Sequence, residues 1–194
     1  MAAAHVKSNA RHGLRLHPLP VRIMHWINAA AMIIMIMSGW KIYNDEQHGL
    51  QWHFFGMWIV VLNGLAYLIY GIVSGRFRSK LFPISLGELV ATVRDALTLR
   101  LKHDDLTRYN AVQKVLYVGI MLVGIVVVLS GLSIWKPVQL SELATLFYDF
   151  QTARLVHFLC MSAIVFFLVV HVALALIVPR SLVAMVSGGP VVKQ

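Results

Sequence analysis

The chain has few charged residues and a single cysteine. Only 13% of its 194 residues are Asp, Glu, Lys or Arg, whereas 59% are hydrophobic. This composition excludes an ordinary soluble domain and is typical of a membrane protein. Because Cys160 has no second cysteine to pair with, the chain has no disulfide framework, no CxxC redox motif and no CxxCH site for covalent haem attachment. A cofactor covalently attached through cysteines is therefore excluded.

Four apolar runs are each long enough to cross a hydrocarbon layer of roughly 30 Å, which takes about 20 helical residues. They cover approximately residues 20–40, 54–74, 115–135 and 155–178. The first 19 residues are polar and basic and lack the features of a cleavable signal peptide, so we expect the first helix to remain. The sequence predicts an all-α membrane protein, a four-helix up-and-down bundle that forms one domain over residues 1–194.

Acidic residues are scarce, with 8 Asp and Glu against 17 Lys and Arg. Such an excess can indicate a nucleic-acid partner, but here the positions of the charges argue against one. With a cytoplasmic N-terminus, 14 of the basic residues fall in cytoplasmic segments and 3 on the opposite side, which is the positive-inside pattern. We therefore expect a multi-pass protein of a bacterial inner membrane, with both termini cytoplasmic and with lipid, not nucleic acid, around it.

The connections between the helices have amphipathic patterns. In the long connection 77–110, Ser85 and Glu88 form a capping box, and apolar residues follow at helical spacing. This predicts an amphipathic helix on the cytoplasmic membrane surface. A shorter pattern over 140–150 suggests a segment that caps the outer end of the bundle. Gly71 and Gly75 form a GxxxG pair, on its own a weak sign of a homo-oligomer.

Nine histidines fall into two groups when they are placed on this topology. Five lie in tails or loops, where a solvated side chain is expected: His5, His12, His17, His48 and His103. The other four lie in or at the edges of the apolar helices, where an ionisable residue is a functional hypothesis by default. These four are His25, His53, His157 and His171.

The up-and-down course of the chain sets the depth of these four histidines. His25 and His171 fall near the cytoplasmic end, and His53 and His157 near the outer end. The 14 residues from His157 to His171 leave the two about 40° apart around the helix and about 21 Å apart along it. Two pairs from facing helices at matched depths are what axial ligation of two b-type haems in a bundle requires.

Small residues support the same interpretation. Gly39 returns to the face of His25 at the outer depth, and Gly64 and Gly71 return to the face of His53 near the inner depth, which suggests that all three pack beside a macrocycle. Simpler interpretations exist for each residue alone. A membrane histidine can be a hydrogen-bonded packing residue or part of a proton relay, and glycines are common in membrane helices.

A polar stripe marks the start of the third long helix. Its residues recur at i, i+3, i+4 and i+7, and they are Asn110, Gln113, Lys114 and Tyr117. Together with Arg22, this stripe is a candidate for binding a quinone carbonyl or the haem propionates. The alternative is interfacial anchoring, with lysine snorkelling and tyrosine in an aromatic belt.

The motifs resemble one family. RIMHW over residues 22–26, a histidine at the start of helix 2 and the H-x13-H of helix 4 are similar to the bacterial cytochrome b561 family, over about residues 16–185. That family includes the membrane cytochrome b subunits of nickel-iron hydrogenases, formate dehydrogenase and thiosulfate reductase. The resemblance implies a cytoplasmic-side haem held by His25 and His171 and a periplasmic-side haem held by His53 and His157.

The resemblance also implies a function. Such members pass electrons between a periplasmic redox enzyme and a membrane quinone, ubiquinone or menaquinone, near the cytoplasmic haem. The length of the chain and the segment YNAVQKVLY resemble cytochromes that accompany periplasmic molybdopterin oxidoreductases. Two other functions stay open: a free-standing superoxide:ubiquinone oxidoreductase of the same family, and a histidine-lined transporter of protons or metal.

Overall fold

Eight helices account for nearly all of the structure. The computed structural model describes residues 14–15, 17–97, 111–189 and 191–192. Its helices are α1 (Leu19–Tyr43), α2 (Gly49–Val73), α3 (Arg76–Leu81), α4 (Leu86–Leu97), α5 (Ala111–Trp135), α6 (Ser141–Leu146), α7 (Phe150–Ile177) and α8 (Pro179–Ser187). Two short strands, β1 (Leu14–Arg15) and β2 (Val191–Val192), pair in antiparallel fashion.

Four of these helices are long and apolar enough to cross a membrane: α1, α2, α5 and α7. The predicted all-α, four-helix membrane bundle is therefore confirmed. The helices have 25, 25, 25 and 28 residues and extend past the predicted runs at several ends. Polar residues such as Lys41, Gln51 and Gln113 continue the helices there, because a helix satisfies its own backbone in the interface as well as in the hydrocarbon.

The first and last described segments lie at one end of the bundle, which we call the termini side; the opposite end is the far side. Strand β1 pairs with β2 there, and the backbone N–H of His17 donates to the carbonyl of Gly188 at 3.1 Å. Arg22, in the first turn of α1, donates from Nε to the carbonyl of Met185 in α8 at 3.3 Å and from Nη2 to that of Val186.

The bundle consists of two helical hairpins. Helix α1 packs closely on α2, and α5 packs on α7, whereas close backbone approaches between the hairpins are few in the part of the chain that the structure describes. Small residues are buried in each hairpin, for example Ala31 and Ser38 in α1 and Ala153 in α7. Small side chains let two membrane helices approach closely. The wider separation between the hairpins is where the site described below lies.

A polar contact also joins α1 to α2. The Asn63 side-chain amide donates to the carbonyl of Met24 at 2.8 Å and to Oδ1 of Asn28 at 2.7 Å. In lipid, such polar side chains are stable when they find partners across a helix interface. Asn63 thus ties α2 to the residue that precedes His25.

The connection between α2 and α5 contains the predicted amphipathic helix, α4. The backbone N–H of Glu88 donates to Oγ of Ser85 at 3.4 Å, as a capping box requires. Leu86 and Val90 are 78% and 68% exposed, so none of the described residues covers these two apolar side chains of α4. That exposure is expected of a helix that lies on a membrane surface.

On the far side, the short helix α6 precedes α7. Asp149 caps α7, because its Oδ1 accepts from the backbone N–H of Thr152 at 2.6 Å. The same hydrogen bond lowers the pKa of Asp149 below its ordinary value. The cap fixes the start of the helix that carries His157 and His171.

Candidate functional site

The four membrane histidines meet in two pairs between the hairpins. The ring centroids of His25 in α1 and His171 in α7 are 6.1 Å apart, and those of His53 in α2 and His157 in α7 are 6.3 Å apart. The two rings of a pair are inclined by 63° and 66°. These are the pairs that the depth argument predicts, the first near the termini side and the second near the far side.

On the far side, the Nδ1 atoms of both histidines are hydrogen-bonded to the neighbouring helix. His157 Nδ1 lies 2.9 Å from the carbonyl oxygen of Val127 and 3.2 Å from Oγ of Ser130 in α5. His53 Nδ1 lies 3.1 Å from Oγ of Ser38 in α1. Both serines are almost completely buried. Hydrogen bonds at Nδ1 therefore fix the orientation of both imidazole rings.

A glycine follows each of these serines and gives the imidazole room. A Cβ added at Gly131 would lie 3.0 Å from Cε1 of His157, and one at Gly39 would lie 3.6 Å from Cε1 of His53. Gly131 is thus required by close approach, whereas an alanine at Gly39 would make ordinary van der Waals contact with the ring. Gly39 lies on the far side, as predicted.

The termini-side pair has a different environment. His25 contacts the edge of the Trp26 ring, with 5.4 Å between centroids, and Phe167 stacks on His171 at 5.7 Å with the planes only 11° apart. Within the described ranges, neither His25 nor His171 makes a side-chain hydrogen bond. These two rings are positioned by aromatic packing.

The other two predicted glycines differ from each other. Nothing lies within 4 Å of a Cβ placed at Gly64, so this position faces open space. Gly71 is buried against the ring of Phe77, with which an added Cβ would clash. The structure therefore gives Gly71 a neighbour in α3 in place of the termini-side histidines, because the chain turns sharply after α2 and folds Phe77 back onto it.

The polar stripe of α5 is only partly brought to the site. Lys114 donates from Nζ to the carbonyl of Pro83 at 3.0 Å, which fastens the start of α5 to the α3–α4 connection. Gln113 and Tyr117 lie in the first two turns of α5, and Asn110 lies outside the described residues. Arg22, in contrast, lies one turn before His25.

An open groove of about 380 Å³ runs beside Arg22 on the termini side. It is lined almost entirely by apolar side chains of α1 and α8: Leu19, Ile23, Trp26, Ile27, Met185 and Val186. Arg22 provides the polar group of this lining. The groove therefore combines apolar walls with one guanidinium group.

His17 is not a solvated loop residue, contrary to expectation. Its Nδ1 is buried and has no hydrogen-bond partner among the described residues. Burial, followed by the positive charge of Arg76, lowers the pKa of His17 from 6.5 to about 4. Electrostatic interactions with His25, Lys80 and Arg22 also lower the pKa of His17. His17 is thus neutral at pH 7 within a strongly basic cluster at the termini side.

The residues that contact Nδ1 of the far-side histidines, and the Asn28–Asn63 contact, were not predicted from the sequence. A signal for the former exists, because both Ser38 and Ser130 begin a Ser-Gly dipeptide in the far-side half of the first helix of a hairpin. Neither dipeptide is informative until a histidine from the second helix of that hairpin is known to face it.

Each histidine pair can hold one metal ion from two sides. In the described part of the chain, no group of three or more His, Cys, Asp or Glu side chains is arranged to hold a metal ion. A site built from protein ligands alone ordinarily needs three or four of them. The remaining ligands must come from a non-protein group, such as the four nitrogens of a porphyrin.

Comparison with known proteins identifies the family of the chain. Residues 16–188 match the family described as prokaryotic cytochrome b561. A protein of Azospira oryzae, with the provisional name protein-methionine-sulfoxide reductase subunit YedZ1, is 43% identical over 190 residues, covering 89% of this chain and 96% of the relative. The chain therefore belongs to the prokaryotic cytochrome b561 family and is a membrane protein that binds haem b and takes part in electron transfer.

Proposed function

We propose that the chain is a di-haem cytochrome b that carries electrons across the membrane between the quinone pool and a periplasmic reductase. The observation that carries the proposal is the presence of two histidine pairs at two depths, His25 with His171 and His53 with His157. Helix α7 contributes to both pairs, and its two histidines are about 21 Å apart along the helix axis. One chain then contains a two-step path for electrons.

The separation of the rings fits an iron held between them. The ring centroids are 6.1 and 6.3 Å apart, and a metal–imidazole nitrogen bond is about 2 Å, so His25 with His171 and His53 with His157 would each hold one haem iron. Bound haem supplies a one-electron Fe(III)/Fe(II) couple. Two histidines on one iron leave no open coordination position, which favours electron transfer over binding of oxygen.

Small residues along the helices are compatible with such groups between the hairpins. The largest side chains that are fully buried within the described residues are serines: Ser38, Ser130 and Ser133. A bundle of four long helices ordinarily fills its centre with large apolar side chains. Gly64 in α2 and Gly119 and Gly124 in α5 also have nothing within 4 Å on the side of a Cβ. Two macrocycles between the hairpins account for this open interior.

The quinone is proposed to bind on the termini side, which the charge distribution predicts to be cytoplasmic. The groove beside Arg22 lies next to His25 and combines apolar walls with one guanidinium group. A quinone has an apolar tail and carbonyl oxygens that accept hydrogen bonds from a guanidinium. Ubiquinone and menaquinone share this chemistry, so the groove suits either of them.

The partner is proposed to be the catalytic subunit of a protein-methionine-sulfoxide reductase of the molybdopterin type on the far side. The name of the Azospira oryzae relative supports this partner. The electrons balance, because a quinol releases two electrons and two protons on oxidation. Conversion of one methionine sulfoxide to methionine and water consumes two of each.

The charges on the far side favour a protein partner over superoxide. Lys41 pairs with Glu46 at 3.6 Å, Lys136 lies over the ring of Trp135, and Arg154 donates to Gln151. These three basic residues face four acidic ones on the same side, Asp45, Glu46, Glu142 and Asp149, so they do not form a net positive funnel towards His53 and His157. An anionic substrate would gain from such a funnel.

Two measurements test the proposal. Pyridine haemochrome analysis of the purified protein is expected to give two haems b per chain, and one or none would contradict it. Quinol added to membrane vesicles should reduce both haems, and the purified partner with methionine sulfoxide should reoxidise them. Reoxidation by substrate without the partner, or reduction by superoxide followed by quinone reduction, would instead support a free-standing enzyme. A protein without haem absorption would support a transporter.

A further inference from the structure

The two far-side histidines contact similar sets of residues in two different helices. In α5, the carbonyl of Val127, the hydroxyl of Ser130 and Gly131 surround the ring of His157. In α1, Met35, Ser38 and Gly39 occupy the matching positions i, i+3 and i+4. The Ser38 hydroxyl hydrogen-bonds His53 and also donates to the Met35 carbonyl of its own helix.

These contacts determine which ring nitrogen carries the proton. A carbonyl oxygen only accepts, so His157 must donate from a protonated Nδ1 to Val127 at 2.9 Å. Ser38 gives its single hydroxyl proton to the carbonyl of Met35 at 3.1 Å, so its oxygen accepts from Nδ1 of His53. In both rings Nε2 is then the nitrogen with a free lone pair, which is the one a metal needs.

The termini-side pair lacks this support. In the described part of the chain, the neighbours of His25 and His171 are the rings of Trp26 and Phe167, not hydrogen-bond acceptors. The nearby charges also differ, because Arg22 and the basic cluster around His17 lie at this side. Positive charge close to a haem favours the reduced iron, which carries one charge less.

The hydrogen bonds on the far side and the positive charges on the termini side should both place the redox potential of the far-side haem below that of the termini-side haem. A histidine that donates from Nδ1 to an acceptor is a more basic ligand, and a more basic axial ligand stabilises Fe(III) over Fe(II). We propose that Ser38, Ser130 and the Val127 carbonyl are positioning groups that make the far-side haem the lower-potential haem of the two. This inference rests on the proposed function, because it requires one haem at each histidine pair.

The experiment is a spectroscopic redox titration of the haem-loaded protein and three variants. Ser38→Ala and Ser130→Ala each remove a hydroxyl that contacts a far-side histidine. Each should raise the midpoint potential of the lower-potential component and leave the other unchanged. In the double variant, the difference between the two midpoint potentials should be smaller than in either single variant. Ser130→Ala should raise the midpoint potential of the lower-potential component less than Ser38→Ala does, because the Val127 carbonyl still accepts a hydrogen bond from His157 at 2.9 Å.

Ser133→Ala is the matched control. Ser133 lies in the same helix as Ser130, is equally buried, and bonds only to the carbonyl of Leu129 in its own helix. Its loss should leave both potentials where they are. If an alanine variant loses its far-side haem, Ser→Cys at the same position replaces it, because a thiol is a weaker hydrogen-bonding group and the same upward shift is expected.

Three outcomes would overturn the inference: unchanged potentials in variants that keep two haems, an equal shift in Ser133→Ala, or loss of the lower-potential component in His25→Leu. The haem content of the unsubstituted protein separates this failure from failure of the proposed function. A content of one or none refutes the di-haem proposal, whereas two haems with the reverse order of potentials refute only the present inference.

Discussion

The ring centroids of His53 and His157 lie 6.3 Å apart, although the two residues belong to different hairpins of the bundle. The same holds for His25 and His171, which are 6.1 Å apart. In each pair, one histidine comes from the hairpin of α1 and α2 and the other from α7. The two histidines of a pair should therefore bind the same haem, and loss of either one should have the same effect.

Replacing either member of a pair by leucine should remove the same spectral component. His25→Leu and His171→Leu should each abolish one component, and His53→Leu and His157→Leu the other, with the haem content falling from two to about one per chain. The measurement is low-temperature difference spectroscopy together with haem quantification. His48→Leu serves as the control, because His48 is an exposed residue before α2. Loss of one component by both His25→Leu and His157→Leu would contradict the pairing.

Gly131→Ala should disturb the far-side site more than Gly39→Ala. The new Cβ would lie 3.0 Å from the ring of His157, whereas at Gly39 it would lie 3.6 Å from His53, an ordinary contact. A rigid ring held by Val127 and Ser130 has little freedom to move, so Gly131→Ala should lower the far-side haem content several-fold. If Gly39→Ala is as damaging, the haem itself, not the imidazole, fills the space at that glycine, as the sequence predicted.

Asn63→Ala should destabilise the bundle by about 1 kcal/mol, the scale found for interhelical hydrogen bonds in membrane proteins. The substitution removes the bonds to Met24 and Asn28 at 2.8 and 2.7 Å. Asn28→Ala removes only the second bond and should cost about half as much. Equilibrium unfolding in mixed detergent measures both, with Ser162→Ala as the control, because the half-buried Ser162 donates to the carbonyl of Phe158 in its own helix. Equal stability of Asn63→Ala and the unsubstituted protein would refute the tie.

Acidification should weaken the termini side through His17. Its pKa falls from 6.5 to about 4 in the folded chain, so the unfolded state binds the proton more tightly. Between pH 6.5 and 4 the unfolded chain is protonated at this residue while the folded chain is not, and stability therefore falls as the pH falls through this window. The thermal midpoint should drop less between pH 7 and pH 5 in His17→Asn. An identical drop in both proteins would exclude His17 as the cause.

Much of the fold could be read from the sequence. Apolar runs of about 20 residues can only be satisfied in lipid as helices, so the four spans followed from composition alone. The capping box of Ser85 and Glu88 located the start of α4, because it depends on residues three apart in the chain. The ends of the helices could not be placed as well, since polar residues such as Lys41 and Gln113 continue a helix into the interface at little cost.

The candidate site, like the fold, was predicted only in part from the sequence. The matching depths of His25 with His171 and of His53 with His157 follow from topology and a rise of about 1.5 Å per residue, so the sequence alone predicted which histidines would meet. The contact between Gly71 and Phe77 could not be predicted, because it depends on the sharp turn between α2 and α3.

The sequence by itself determined the class of protein, its four spans and the two depths at which histidines occur, because hydropathy and helical rise are local properties. Only the tertiary structure decided what lies behind each ring. It placed Ser38 beside His53 and Val127 and Ser130 beside His157, and it gave His25 and His171 aromatic neighbours. Those contacts depend on how two helices rotate against each other, which no spacing along one helix specifies.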